Sequence, residues 1–268
     1  MTSFLFNMYF YAVTASYAIL ATPLAFLRSN KPLATWVHWW SRSMRFGMKH
    51  IARITIEVRG QEHRRDGETV IFAAKHQSII DAIILYSEMP NLAAVAMAEL
   101  SSRPVIGRIF HKLEMIMVDR ANGSGARSLA SGAEKAIAKG RPIVIYPEGE
   151  IRPVGERGTY KKGVWHLQKA HGLPVVPVAT NMGLCWEQNK WKKNKGHVVV
   201  EFLPPVKPAL EVGTFLSDLE NKVESKTQSL LREGRSEQKK RQMLTQALTM
   251  ESAIYWSKIP PVALMHQV

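Results

Sequence analysis

His76 and Asp81 stand five positions apart between two apolar runs, Val70 to Ala74 and Ala82 to Leu85. Imidazole ordinarily titrates closest to neutral pH, so it can take up and return a proton there. A carboxylate beside it fixes its tautomer and stabilises the charged ring. The chemistry open to such a pair is proton transfer in general acid–base catalysis. The spacing restricts how the two can meet. On one helix, five residues turn a side chain through about 500°, roughly 140° off face. His76 must therefore lie in a loop and Asp81 in the first turn of the helix that follows. Ser78, three residues ahead of Asp81 and before an apolar run, reads as the start of a capping box. Lys75 to Asp81 by themselves suit a catalytic pair and an ordinary capped helix equally well.

Three further clusters follow strand-like runs, where α/β proteins place their sites. In Met117-Val118-Asp119-Arg120, Arg120 can hold a phosphate bidentately or serve as a surface ion-pair residue. In Tyr146-Pro147-Glu148-Gly149-Glu150-Ile151-Arg152, Gly149 can take a positive φ and let backbone approach a ligand. Glu148 is expected to accept from substrate hydroxyls or to hold an arginine; a plain turn with solvated charges is the other reading. Gly172 to Ala179 is a buried strand carrying Pro174 and Pro177, and Pro177 argues for an edge or an irregular position.

The elements that must carry these residues alternate. Strand-like runs are Ile54 to Val58, Val70 to Ala74, Leu92 to Ala96, Met115 to Val118, Ile143 to Tyr146, Val175 to Ala179 and Val198 to Phe202. Helical stretches Ile79 to Glu88, Val105 to Leu113, Ser128 to Ala138 and Gly163 to Ala170 fall between them. This pattern predicts an α/β fold with a central mixed, mainly parallel sheet of about seven strands flanked by helices. Phe215 to Met243, charged with sparse apolar positions, predicts a solvated or surface-docked helix broken at Gly234.

The chain has 268 residues, 46% of them hydrophobic, enough for a substantial core. The single cysteine, Cys185, excludes an internal disulfide and offers no zinc spacing. A formal net charge of +14 calls for an anionic partner: nucleic acid, anionic lipid or a phosphorylated substrate. No nucleic-acid-binding module is visible. Phe4 to Leu27 lacks any charged residue and, at about 1.5 Å per residue, is long enough for a bilayer core of about 30 Å. Pro23 ends or kinks this helix. Arg28 and Lys31 follow, which places the remainder on the cytoplasmic side by the positive-inside rule. From Ala34 to Arg53 the 3.6-residue period puts Trp36, Trp40, Met44, Gly47 and Ile51 on one stripe. His38, Arg42, Arg45, Lys49 and Arg53 fall on the opposite one. Such a helix lies in a membrane interface or packs on its own domain. The division expected is residues 1–53 as membrane-anchoring helices, 54–214 as the α/β domain and 215–268 as a charged helical extension.

Four ordered blocks across roughly residues 70–180 resemble the glycerolipid acyltransferase family, in particular bacterial 1-acylglycerol-3-phosphate acyltransferases. They are His-x4-Asp at His76 to Asp81, Gly107 with Ile116 to Arg120, the Tyr146 to Arg152 segment, and Val176-Pro177-Val178. The third block departs from Phe-Pro-Glu-Gly-Thr-Arg: Glu150 replaces Thr, Ile151 intervenes and the arginine falls one place late, at Arg152. The family's lysine in a Lys-x-Glu-Leu setting is absent from Met97-Ala98-Glu99-Leu100. The resemblance implies transfer of an acyl group from acyl-CoA or acyl carrier protein to a lysophospholipid hydroxyl. It implies His76 as general base, Asp81 as its orienting group, and Arg120, Glu148, Gly149 and Arg152 as the phosphoglycerol-binding residues. It implies an anionic membrane surface as partner, with no bound cofactor, no metal and no nucleic acid. A covalent route would have only Cys185 as thiol, and no Gly-x-Ser-x-Gly elbow occurs. Two other readings stay open: transfer to another lysolipid such as lyso-ornithine lipid, and a non-enzymatic basic membrane-binding protein.

Overall fold

The computed structural model describes residues 2–65, 67–120 and 123–257. Seven strands form one sheet: β1 (Ile54–Arg59), β2 (Ile71–Ala74), β3 (Ala93–Met97), β4 (Ile116–Val118), β5 (Ile143–Ile145), β6 (Val175–Thr180) and β7 (Gly196–Phe202). Their order across the sheet is β1-β7-β6-β2-β5-β3-β4, and the β6–β7 pair alone is antiparallel. Every strand run expected from sequence is present, with ends displaced by a residue or two. The central strands β2 and β6 are buried at every position, which is why they read as unbroken apolar, β-branched-rich runs. Seven helices accompany the sheet: α1 (Thr2–Leu24), α2 (Lys31–His50), α3 (Asp81–Glu88), α4 (Pro104–Lys112), α5 (Gly125–Ile137), α6 (Gly163–His171) and α7 (Val212–Ser257).

The period of two along β2 divides the core. Phe72 and Ala74 face a layer that includes Phe6 of α1, Met44 and Met48 of α2, and Ile84 of α3. Ile71 and Ala73 face Leu129 of α5, Val164 of α6, and Phe215, Leu219 and Val223 of α7. Because crossovers alternate in this way, the C-terminal ends of β2, β5 and β4 open onto one edge of the sheet. That edge receives the three loops carrying His76, Glu148 and Arg120.

Two alternatives left open by the sequence are decided, for Pro177 and for the α2 stripe, and one expectation, at Gly234, is corrected. Pro177 lies in an interior strand, an irregular position and not an edge: its carbonyl accepts from Leu203 N–H at 2.9 Å, and one ladder bond toward β7 is forgone. The C-terminal helix is not broken at Gly234; α7 runs through it. A Cβ there would come 2.8 Å from Leu184 Cδ1 and 2.9 Å from Asn181 Nδ2, so the glycine permits close packing at a helical cost of about 1 kcal/mol. The tryptophan stripe of α2 is turned inward, onto α1. Trp36 stacks on Tyr17 with centroids 4.6 Å apart and donates to the Tyr17 carbonyl, and Trp40 donates to Thr14 Oγ1. A Cβ at Gly47 would overlap the Tyr9 ring. On the basic stripe, Arg45 pairs with Glu88 and His38 donates to the Tyr86 carbonyl, so two of its members are engaged by α3. Sequence periodicity separates two faces of a helix but does not say which face meets its own domain.

The largest group of exposed apolar side chains on one element belongs to α1. Phe4, Leu5, Met8, Tyr11, Ile19 and Leu20 are exposed on it, with Phe26 and Leu27 just beyond. By length and composition α1 is long and apolar enough to cross a membrane.

Candidate active site

β2 ends at Ala74, and the next six residues form a short loop before α3 begins at Asp81. His76 Nδ1 donates to Asp81 Oδ2 over 3.1 Å. The same oxygen accepts the backbone N–H groups of Gln77 and Ser78, each at 2.8 Å. The helix start is therefore held by the Asp81 carboxylate reaching back. Ser78 Oγ accepts from Ile80 N–H instead of Asp81 N–H, so only the carboxylate half of the expected capping box forms. A carboxylate can only accept, which puts the imidazole proton on Nδ1 and leaves Nε2 as the lone-pair nitrogen. Nε2 has no hydrogen-bond partner among the described residues, and the ring is 17% exposed, so it is reachable. The ring is stacked on Tyr146, centroids 4.0 Å apart at 22°. The Tyr146 phenol is pushed up by burial and, secondarily, by the nearby Asp81 charge, so it remains a neutral packing surface.

Beneath this loop lies a group that pattern reading missed. Lys75 is fully buried, and its ammonium donates to Glu148 Oε2 at 2.9 Å, Glu224 Oε1 at 2.8 Å and the Glu156 carbonyl at 3.0 Å. Glu148 Oε2 also accepts Gly158 N–H at 3.0 Å, and Oε1 accepts His76 N–H at 3.4 Å. The expectation for Glu148 is thus corrected: its side chain is wholly buried, and the cation it holds is Lys75, not an arginine or a substrate hydroxyl. Glu224 comes from α7 and also accepts from the Tyr160 hydroxyl. One signal for Glu224 was available. It lies three and seven positions before Thr227 and Leu231, both buried, so a charge stands on the packed face of the helix.

Arg120 follows β4, and its guanidinium donates to the Gly149 carbonyl. Gly149 has φ +77°, the left-handed region its sequence position predicts. Arg152 donates its backbone N–H to the His76 carbonyl at 2.9 Å, tying the third block to the first. Its side chain pairs with Glu150, while its buried Nε has no partner. His76, Asp81, Arg120, Gly149 and Arg152 are therefore brought to one edge of the sheet, with Glu148 underneath them. Cys185 is in the core, 1% exposed, and burial pushes its thiol up to about 12, with Arg241 opposing weakly. At neutral pH it is a packed thiol and not a nucleophile.

Chemically, the site offers a base nitrogen with an oriented partner and a cationic loop edge next to it. A model of the family described as Acyltransferase matches residues 55–181, which contain all of these groups except Glu224. The 1-acyl-sn-glycerol-3-phosphate acyltransferase of Pseudomonas aeruginosa is 31% identical over 187 residues, covering 69% of this chain and 72% of that protein. The protein of that name from Salmonella typhimurium is 29% identical over 205 residues, covering 72% and 80%. The crystal structure of the 1-acyl-sn-glycerophosphate acyltransferase from Thermotoga maritima superposes with a TM-score of 0.70 at 20% identity, over 86% of this chain and 98% of that one. That likeness establishes the shared fold, and the sequence matches establish the kinship: this chain belongs to the acyltransferase family, as an O-acyltransferase of the 1-acylglycerol-3-phosphate acyltransferase type.

Proposed function

We propose that the protein transfers an acyl chain from acyl-CoA or acyl carrier protein to the sn-2 hydroxyl of 1-acylglycerol-3-phosphate, forming phosphatidic acid. The observation that carries this reading is the His76 Nδ1–Asp81 Oδ2 contact of 3.1 Å, which leaves Nε2 free beside the Arg120–Gly149 edge. The acceptor O–H gives its proton to His76 Nε2 as the oxygen forms a bond to the thioester carbonyl carbon. Asp81 stabilises the imidazolium. Collapse of the tetrahedral adduct breaks the C–S bond, and the departing thiolate takes the proton back from Nε2. General-base assistance of this kind contributes roughly 10²–10⁴-fold. Arg120 holds the acceptor phosphate as a charge-assisted donor, with Gly149 giving its backbone room and Arg152 at the edge of the same loop. Glu148 acts from below by fixing the His76 loop.

The exposed apolar side of α1, followed by Arg28 and Lys31, fits anchoring in the inner membrane with the sheet on the cytoplasmic side. There an anionic bilayer surface supplies the lysophospholipid and attracts a chain of net charge +14. The test is incubation of the purified protein with a panel of lysolipids and both donor types, with products read by mass spectrometry. Phosphatidic acid as the dominant product supports the assignment. Acylation of a different lysolipid, such as a lyso-ornithine lipid, with 1-acylglycerol-3-phosphate untouched, overturns it.

A further inference from the structure

Lys161 passes directly over Gly149. A Cβ on Gly149 would stand 2.6 Å from Lys161 Nζ, 2.9 Å from its Cε and 3.2 Å from its Cδ, so the lysine stem lies where a side chain would otherwise be. The Lys161 backbone is pinned there, donating its N–H to the Pro147 carbonyl at 2.9 Å. Lys161 is exposed, and among the described residues its ammonium has no carboxylate partner. Arg120 reaches the same glycine from the other side of the sheet edge, and its one described hydrogen bond goes to the neutral Gly149 carbonyl. Two cations from separate elements, one after β4 and one before α6, thus converge on one backbone position, and among the described residues neither has a carboxylate partner. Like charges brought together disfavour one another unless an opposite charge joins them. A phosphate monoester carries close to two negative charges and has three acceptor oxygens.

We propose that Lys161 binds substrate, as the second cation of the acceptor's phosphate subsite, closing with Arg120 on a phosphate monoester seated over Gly149. The proposal rests on the acceptor assignment above and deepens it. Arg120 supplies a planar donor fork and Lys161 a point charge on a flexible stem. Together they neutralise a dianion that a single guanidinium leaves half-compensated. Gly149 serves both cations: its positive φ presents the carbonyl to Arg120, and its missing side chain admits Lys161.

The experiment compares wild type, Lys161→Gln and Lys161→Arg in detergent micelles, with 1-acylglycerol-3-phosphate and with monoacylglycerol as acceptors. Lys161→Gln is expected to raise KM for the phosphorylated acceptor about 10- to 100-fold, the size of one charge-assisted hydrogen bond. Its kcat should stay close to wild type, and turnover of monoacylglycerol, which lacks the phosphate, should be the same in variant and wild type. Lys161→Arg should recover most of the lost affinity. Equal losses on both acceptors, or an unchanged KM, overturn the proposal. A second measurement separates it from the catalytic reading: calorimetric binding of the 2-deoxy analogue of 1-acylglycerol-3-phosphate, which keeps the phosphate and lacks the nucleophile. Binding weakened at least tenfold in Lys161→Gln upholds the subsite even where no acyl transfer is found. Analogue binding that is equal in both proteins, or absent from wild type, refutes it.

Discussion

Replacing Lys75 by methionine removes the single ammonium between two buried carboxylates. In the folded protein Lys75 lies 2.9 Å from Glu148 and 2.8 Å from Glu224, and all three side chains are 0–1% exposed. At an effective dielectric of about 20, unit charges about 3 Å apart attract by roughly 5–6 kcal/mol, most of which offsets desolvation. Truncating one partner of such a pair leaves the other charge buried, at a measured cost of about 3–5 kcal/mol. Lys75→Met strands two carboxylates, so its loss falls at the upper end, about 5 kcal/mol or more. Of the other cations nearby, Arg157 is 4.0 Å from Glu224 and half-exposed. Glu224→Gln leaves Lys75 and Glu148 as a neutral pair that keeps its hydrogen bonds, and should cost about 1 kcal/mol. Domains of this kind have about 5–15 kcal/mol in total, so Lys75→Met is expected to be marginal at 37 °C and Glu224→Gln sound. Urea unfolding followed by tryptophan fluorescence in detergent measures both. The double variant Lys75→Met/Glu224→Gln should recover part of the Lys75→Met loss, because one stranded carboxylate is gone. A Lys75→Met protein within about 1 kcal/mol of wild type, or a double variant worse than Lys75→Met, would refute the charge count.

Two further outcomes follow from the surface. Glu57 is held down to about 2 by hydrogen bonds from Arg59 and then His197. A depressed carboxylate contributes stability that is complete above its unfolded value of about 4.3 and is lost as pH falls through its folded value. Its side chain is 43% exposed, so screening keeps the contribution under about 1 kcal/mol. Glu57→Gln should therefore be slightly less stable than wild type at pH 7, with the gap closing towards pH 2; a gap that widens on acidification contradicts this. Arg42 and Lys49 are exposed basic groups of α2, and reversing either to glutamate, a change of two charge units, should weaken flotation with anionic vesicles roughly thirtyfold, at about 1 kcal/mol per charge. Flotation unaffected by both changes argues against lipid contact on that face.

The sheet was legible because β2 and β6 are buried on both faces, and an unbroken apolar, β-branched-rich run has few other uses. His76, Asp81 and Arg120 were legible because they follow such runs, where loops must gather. What stayed hidden depends on distant pairing. Lys75 meets Glu148 across 73 positions and Glu224 across 149, and no local pattern joins residues so far apart. Glu148 was misjudged for the same reason: its sequence neighbours look like a ligand-binding turn, while its side chain is claimed by a lysine that follows another strand. The inward turn of Trp36 and Trp40 followed from α1 lying against α2, which periodicity within α2 cannot reveal. Gly234 looked like a helix stop because glycine usually is one; its use as a packing contact needs Leu184 and Asn181 to be seen beside it.

The central claim is direct transfer with His76 as base, and the most direct measurement compares His76→Ala with Cys185→Ala on 1-acylglycerol-3-phosphate and acyl thioester. His76→Ala should lose roughly 10²–10⁴-fold in kcat while the 2-deoxy acceptor analogue still binds. Cys185→Ala should keep near wild-type kcat, and no acyl group should be found on the wild-type protein by intact-mass analysis during turnover. Retained activity in His76→Ala, or an acylated Cys185 whose removal abolishes turnover, would contradict the account.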